Sequence, residues 1–441
     1  MSEKSTNEND DPFEPREGLL SALTMDLTPL RASRDYRLLF TGQFVSRFGS
    51  AISYVVLPWQ MYQLTKSTFA VGMLGIAEFV PMLLMAFVGG ALADYMDRRR
   101  LIIAAETGLM LCCAALVWNS LLPAPHPWIL FVIAGLFAGI NGIHRPSLES
   151  LTPRLVAEEH LPAVSALSTL GYSFGFIVGP AVAGIIASTL GAGVAFGLDA
   201  ASFAFSIVML LLMRGVPVPE GAERPSLRSI GLGFRYAASR QELLGTYLID
   251  INAMFFGMPI ALFPAIAENF RHGSVGLLYS APAVGVFVVT VTSGWTRRIN
   301  RHGAAVVIAA AVWGLGIIGF GFANRLWMAL FWLALAGGAD LVSGLFRMTI
   351  WNETIPDHLR GRLASIEMIS YTTGPYLGNA EAGLVASLAG LRFSVVSGGA
   401  MCVLGSGILA WFLPSFLRYD RRDGLERKKA EESERAELAG S

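Results

Sequence analysis

Charge is scarce in this chain. Of its 441 residues, 15% are Asp, Glu, Lys or Arg, against about 25% in a typical soluble protein. Only four are lysine: Lys4, Lys66, Lys428 and Lys429. No Gly-Lys-Ser/Thr occurs anywhere to close a phosphate-binding loop, which disfavours ATP-driven pumping. No His-Glu-x-x-His occurs either, and no nucleophile–base pair stands out, which argues against an intramembrane enzyme. Cysteine is equally sparse. Cys112 and Cys113 are adjacent and Cys402 is remote, so neither a disulfide framework nor a metal site is indicated, and buried apolar thiols are expected. No cofactor and no nucleic-acid partner is implied. The opening residues (1–33) are acidic and polar and lack an apolar core, which reads as a disordered tail rather than a signal peptide.

What the chain has is apolar length. Hydrophobic residues make up 54% of it, and about 20 consecutive ones cross a bilayer. Twelve such stretches can be marked, at 37–63, 69–93, 101–122, 128–147, 163–189, 193–213, 243–267, 275–296, 304–322, 326–346, 363–388 and 392–413. They predict an all-α polytopic membrane protein of twelve transmembrane helices in two pseudo-symmetric six-helix bundles, residues 34–213 and 243–414. The intervening 214–242 opens with a Pro/Gly-rich stretch and then places Leu227, Ile230, Phe234 and Ala238 at helical spacing, as in an amphipathic helix on a membrane surface. Residues 415–441 form a charged tail.

The net charge of zero conceals a bias. With the N-terminus in the cytoplasm, 28 of the 33 Lys and Arg residues fall on cytoplasmic segments and helix ends. The outer loops keep Lys66, Arg271, Arg325 and Arg392, and Arg47 lies inside the first span. The positive-inside rule then puts both termini in the cytoplasm.

The two halves repeat a layout. Gly72 precedes Gly90 by 18 residues and Gly276 precedes Gly294 by 18. Arg145 leads to GIIAS ending at Ser188, and Arg347 leads to GLVAS ending at Ser387. A membrane chain of two similar halves fits a transporter that rocks one half against the other around a central site.

Ionisable residues within spans are costly and become functional candidates by default. Arg47, Glu78, Asp250, Asp340 and Glu367 are candidates for proton coupling or an intramembrane charge pair, with Glu106 also inside a span. Glu78 and Asp340 lie deepest, Arg47 reads as the one deep cation, and Glu78 is a possible partner for it. Asp199, beside Ser202, reads as a helix cap. Arg145 and the Ile355–Arg362 stretch read as loops and helix-end charges. Phe44, Tyr54, Tyr172, Phe255 and Tyr371 are cavity-lining candidates, although interfacial placement suits such rings as well.

Two motifs carry a resemblance. The run Gly90-Ala-Leu-Ala-Asp94-Tyr-Met-Asp97-Arg98-Arg99-Arg100 resembles the GxLaDrxGrkxxl signature of the major facilitator superfamily, departing from it at Asp97. Gly90 permits close helix approach, and Asp94 with Arg98 and Arg99 forms a candidate cytoplasmic latch. Gly171, Gly175, Gly179, Pro180 and Gly184 resemble the gxxxGPxxGG motif of drug:proton antiporters, and their four-residue steps put small residues on one helix face. From Arg34 to Pro414 the chain looks like a major facilitator transporter. The opening RDYRLLFTGQFVSRFGS and the later LRGRLAS most resemble the branch of bacterial enterobactin exporters and multidrug efflux proteins. The resemblance implies a monomer in a bacterial inner membrane, with protons and a siderophore or lipophilic small molecule as partners and lipid around it. A lipid flippase without proton coupling is the alternative within transport, and a non-transporting sensor is the alternative outside it.

Overall fold

The computed structural model describes residues 26–95, 97–214, 235–270, 275–356 and 360–420, with Gly424 and Lys428. The side chains of 86–95 and of several residues near 361–369 lie outside the described set, and so do the acidic N-terminal stretch before Asp26, most of the linker helix (215–234) and most of the charged tail. Among the described residues twelve long helices follow one another: α1 Arg34–Thr65, α2 Thr68–Tyr95, α3 Arg98–Leu121, α4 Pro127–Leu151, α5 Leu161–Thr189, α6 Ala192–Leu212, α7 from Gln241, α8 Val275–Thr292, α9 His302–Gly321, α10 Leu326–Thr354, α11 Arg360–Ala389 and α12 Leu391–Phe412. Helix is the form that satisfies every backbone group internally where no water can.

Ten of these are long and apolar enough to cross a membrane. The other two, α1 (32 residues) and α11 (30 residues), have the length. They miss the apolar criterion because α1 carries Gln43, Arg47, Ser53 and Gln60, and α11 carries Glu367, Asn379 and Glu381. Polarity on a spanning helix is tolerable where it faces protein or a water-filled cleft, and α1 packs on α5 and α6 while α11 packs on α2 and α7.

Three boundaries differ from the expected ones. Helix α4 runs on to Leu151 and α10 to Thr354, so Arg145 sits well inside a helix rather than at its loop end, and Arg347, expected one residue past the tenth span, sits inside one too. Pro146 lies within α4 and does not end it. Helix α7 is broken: it ends at Phe256, passes through a 3-10 turn at Ile260–Leu262 and resumes as Phe263–Ala267. Pro259 drives this, since the residue before a proline avoids helical geometry. The amide of Ala261 is recovered by the Asn379 side chain of α11 at 3.1 Å.

Helices α1–α6 pack on one another, as do α7–α12. The two groups meet mainly through α2 against α11 and α5 against α8. These contacts depend on glycine. A β-carbon on Gly72 would strike the backbone of Asn379 and Gly383, and one on Gly276 would strike the backbone of Pro180 and Gly184. Gly75 likewise makes room for the Tyr376 carbonyl. Small residues let helix backbones approach where lipid provides no hydrophobic drive. Residues 72 and 383, and 276 and 184, are therefore two copies of one contact, related by the repeat seen in the sequence.

Those approaches lie at one end of the bundle. Helix α2 begins there, α5 and α11 end there, and α8 begins there. At the same end Lys66 forms an ion pair with Glu268 across the halves at 2.8 Å, while Gln63 and Tyr62 donate to the same carboxylate at 3.5 and 3.4 Å. This end is closed.

Candidate functional site

Between the halves the bundle holds a cleft, recognisable from exposed rings far from either end. Tyr172 is 58% exposed, Tyr54 45% and Tyr371 36%. Tyr54 of α1 meets Tyr279 of α8 edge-on, with ring centres 5.6 Å apart. Phe176 stands 6.3 Å from Tyr54 and 4.5 Å from Tyr172. Tyr279 continues to Phe263 at 5.1 Å. An aromatic wall thus runs from the first half into the second, and edge-to-face rings of this spacing attract beyond their area.

Glu78 lies on α2, ten residues beyond its start, or about 15 Å into the membrane. It has no ion pair and no hydrogen bond among the described residues, and Tyr54, Tyr279 and Tyr376 are the groups within its electrostatic reach. The suggested Arg47–Glu78 pair does not form. Arg47 instead neighbours Tyr36, Tyr172, Arg145 and Glu149. Helix α2 passes unbroken through Pro81.

The second half concentrates the charge. Asp250 of α7 is paired with Arg347 of α10, both largely buried, and Ser370 of α11 donates to the same carboxylate at 3.3 Å. Asp340 and Glu367 both lie within electrostatic reach of Arg347 and Asp250. Three carboxylates therefore surround one guanidinium whose Nε has no partner among the described residues. The expectation that Arg47 is the one deep cation fails here, because α10 extends past the predicted boundary and carries Arg347 inward. Glu381, also on α11 and without an ion pair among the described residues, was likewise missed. A count of acids along the predicted eleventh span would have found it.

Across the cleft Arg145 of α4 lies over the ring of Tyr371 of α11, 5.6 Å from its centre, and pairs with Glu149 at 2.9 Å. It is a cleft residue, not a loop charge. Of the other aromatic candidates, Phe44 stacks on Phe174 at 5.5 Å and packs on Gly171. With Arg47, Tyr36 and Gln43 it lines a small cavity of about 20 Å³ between α1 and α5. Phe255 meets Phe256 edge-on at 4.9 Å, and its backbone abuts Gly378. A recess of about 560 Å³ lies elsewhere, between the short Thr28–Ala32 helix, the start of α1 and the 154–160 turn.

The glycine stripe of α5 serves packing on two sides. Gly171, Gly175 and Gly179 face Phe44, the Arg47 carbonyl and Ala51 of α1, while Pro180 and Gly184 face Gly276 of α8. In the Gly90–Arg100 motif, the side chain of Asp94 lies outside the described residues. Asp97 caps α3 by accepting from the amides of Arg99 and Arg100. Arg98 donates to the Ser150 carbonyl of α4 at 3.2 Å, and Arg99 donates to the Leu210 and Leu211 carbonyls of α6 at 2.6 and 2.9 Å. These contacts tie helix ends within the first half, where cations complement the C-terminal carbonyls.

Asp199 is not a cap. It sits inside α6, fully buried, while Gly191 occupies the cap position. Its carboxylate accepts from Ser53 at 2.5 Å, Cys113 at 3.3 Å and Ser202 at 3.2 Å. Three free cysteines are buried.

A family model described as transmembrane secretion effector, of the major facilitator type, matches residues 24–434. The enterobactin exporter EntS of Citrobacter koseri is 27% identical over 391 residues, covering 86% of this chain and 92% of that protein. The enterobactin exporter EntS of Shigella boydii is 27% identical over 387 residues with the same coverage. Among solved structures, a POT family transporter in complex with 5-aminolevulinic acid superposes with a TM-score of 0.69 at 13% identity, over 87% of this chain and 97% of that one. The nucleoside transporter NupG gives 0.65 at 14% identity, over 88% and 100%. At such identities the structures establish the fold alone, which is the major facilitator fold.

Proposed function

This chain belongs to the transmembrane secretion effector family of major facilitator transporters, and from that premise we propose that it exports an aromatic, siderophore-like small molecule in exchange for protons. Both termini are taken as cytoplasmic in a bacterial inner membrane, following the bias of Lys and Arg toward one side. The end closed by Lys66–Glu268 and the glycine contacts is then the outer end, and the cleft is available from the cytoplasm, the side from which an exporter loads.

The observation that carries this reading is the division of labour across the cleft. The first half offers Arg47, Arg145 and the rings of Tyr172, Phe176 and Tyr54, a surface suited to an aromatic cargo with acidic or hydroxyl groups. The second half offers Asp250, Asp340 and Glu367 around Arg347, carboxylates that can take up protons in a low-dielectric setting. Glu78, facing the cleft without a charged partner, is the leading proton carrier on the first half. Enterobactin, the cargo named for the relatives, meets the aromatic and hydroxyl requirement.

The test is enterobactin movement in proteoliposomes with and without an imposed pH gradient. Uphill movement only with the gradient supports exchange with protons. Movement that ignores the gradient would replace antiport by facilitated diffusion or lipid-type flipping, and no movement of enterobactin under either condition would remove it as cargo.

A further inference from the structure

Away from the cleft, the first bundle buries a second acidic site. Glu106 of α3 is fully buried. Its Oε1 accepts from Gln43 Nε2 of α1 at 2.6 Å and Ser206 Oγ of α6 at 3.0 Å, and His144 Nε2 of α4 lies 3.4 Å away. Its Oε2 has no partner among the described residues. Three donors crowd one oxygen while the other faces protein with nothing to bind. A bare carboxylate in such a place is costly, and a buried acid ordinarily neutralises by pairing or by holding a proton.

The surroundings leave one route to neutrality. Asp199 and Cys113 lie seven residues along α6 and α3 from Ser206 and Glu106, about 10 Å away, and Asp199 adds negative charge rather than relieving it. Arg47 is one turn along α1 from Gln43 but neighbours Tyr36 and Tyr172 instead. Arg145 and Glu149 pair with each other on the exposed side of α4. Among the described residues His144 is the one group in hydrogen-bonding reach of Glu106 that can hold a positive charge. Its side chain is 12% exposed, and its chain neighbour Arg145 lies in the cleft over Tyr371.

We propose that Glu106 and His144 form a second proton-binding site, holding one proton between carboxylate and imidazole and exchanging it with the cleft along α4. In the loaded state the proton rests either on Nε2, giving imidazolium beside carboxylate, or on the carboxyl, beside neutral imidazole. Either form leaves the pocket uncharged. In the unloaded state the proton has passed to water in the cleft and the pocket carries one negative charge. Arg145 moves with α4 as the halves rock, so cargo contact and proton release share one helix. The coupling half of this proposal rests on the antiport reading above; the proton-holding half does not.

The proton is detected by infrared difference spectroscopy on the full chain in nanodiscs at neutral pH, without cargo. In His144→Asn the imidazole is gone, and the carboxyl must carry the proton itself. The difference between His144→Asn and His144→Asn/Glu106→Gln should then show a protonated-carboxyl stretch that shifts in D2O. Its absence in folded protein overturns the proposal, because the pocket would then tolerate a bare carboxylate. If the double variant does not fold, ¹³C labelling of glutamate in His144→Asn reads the same band directly. Coupling is read from enterobactin efflux, where Glu106→Gln should lower the gradient-driven rate at least tenfold and leave downhill exchange within twofold. Unaltered gradient dependence would overturn the coupling role, whereas a wild type indifferent to the gradient would overturn antiport and leave the infrared result standing.

Discussion

Arg145 and Arg347 stand at matching places in the two halves, 202 residues apart, and are handled in opposite ways. Arg145 is open to the cleft, lies over Tyr371 and pairs with Glu149 one turn along its own helix. Arg347 is buried and paired with Asp250 from another helix, with Asp340 and Glu367 nearby. The closing contacts show the reverse pattern. Gly72 against Gly383 and Gly276 against Gly184 are nearly the same contact made twice. Backbone approach is thus symmetric between the halves, while the side chains around the two arginines differ.

The sharpest way to break the symmetric part is to fill it. Gly276→Leu would drive a side chain into the Pro180 carbonyl and the Gly184 amide, so the end sealed by these glycine contacts cannot close. Efflux should fall more than about tenfold, since about 1.4 kcal/mol between two states already shifts them tenfold. Folding should survive, because each half retains its own core. Efflux and protein level together check this; normal efflux would mean that the contact is not made during the cycle.

The asymmetric part predicts a split between the two arginines. Arg347→Ala leaves Asp250 buried without its cation, and breaking such a pair costs about 3–5 kcal/mol. Thermal unfolding in detergent should shift strongly. Arg145→Ala removes an exposed pair worth about 0–1 kcal/mol, so stability should hold while enterobactin affinity falls. Equal stability loss in both variants would erase the distinction.

Much of the frame was legible beforehand and much of the site was not. The repeat around Gly72 and Gly276 could be read because close helix approach demands glycine at fixed spacing, whatever surrounds it. Glu78 could be found because an acid in an apolar run stands out. Arg347 could not, because apolar count ended the tenth span at 346 and helix geometry carries it to Thr354. Asp199 looked like a cap because its partners, Ser53 and Cys113, come from helices that sequence spacing does not align. Arg145 looked like a loop charge because Pro146 follows it, yet tertiary packing keeps the helix going.

Within the carboxylates the comparison sharpens further. Among the described residues Glu78 has tyrosines in electrostatic reach and no cation, whereas Asp340 shares Arg347 with Asp250. If Glu78 carries the proton, Glu78→Gln should reduce gradient-driven efflux by about an order of magnitude and retain most downhill exchange. Asp340→Asn should act more weakly, because Asp250 and Glu367 remain near the same guanidinium. Full gradient-driven efflux in both variants would make the two acids structural.

The smallest effect belongs to the outer ion pair, and its sign can be worked out. The Lys66 hydrogen bond, chiefly, holds the Glu268 carboxyl below the ordinary carboxylate range in the closed state, with smaller help from Gln63 and Tyr62. A carboxyl lowered on closing favours closure at any pH above its ordinary value near 4.3. That preference is lost as pH falls through the lowered value. Between pH 6 and 8 the pair therefore contributes a constant amount, and the pH response of transport must come from elsewhere. The amount is small, because the side chains are 56% and 45% exposed and an ion pair in high dielectric is worth about 0–1 kcal/mol. Glu268→Gln should shift the closed population by no more than about threefold, within the range of surface pairs. Spin labels at positions 124 and 323, on outer loops of the two halves, report that population by their separation. Wild type and Glu268→Gln should differ slightly at pH 7 and converge only as the pH falls below the ordinary carboxylate value, about 4.3, and through the lowered one. A large difference at pH 7 that persists in high salt would show that Lys66 and Glu268, rather than the glycine contacts, hold the outer end shut.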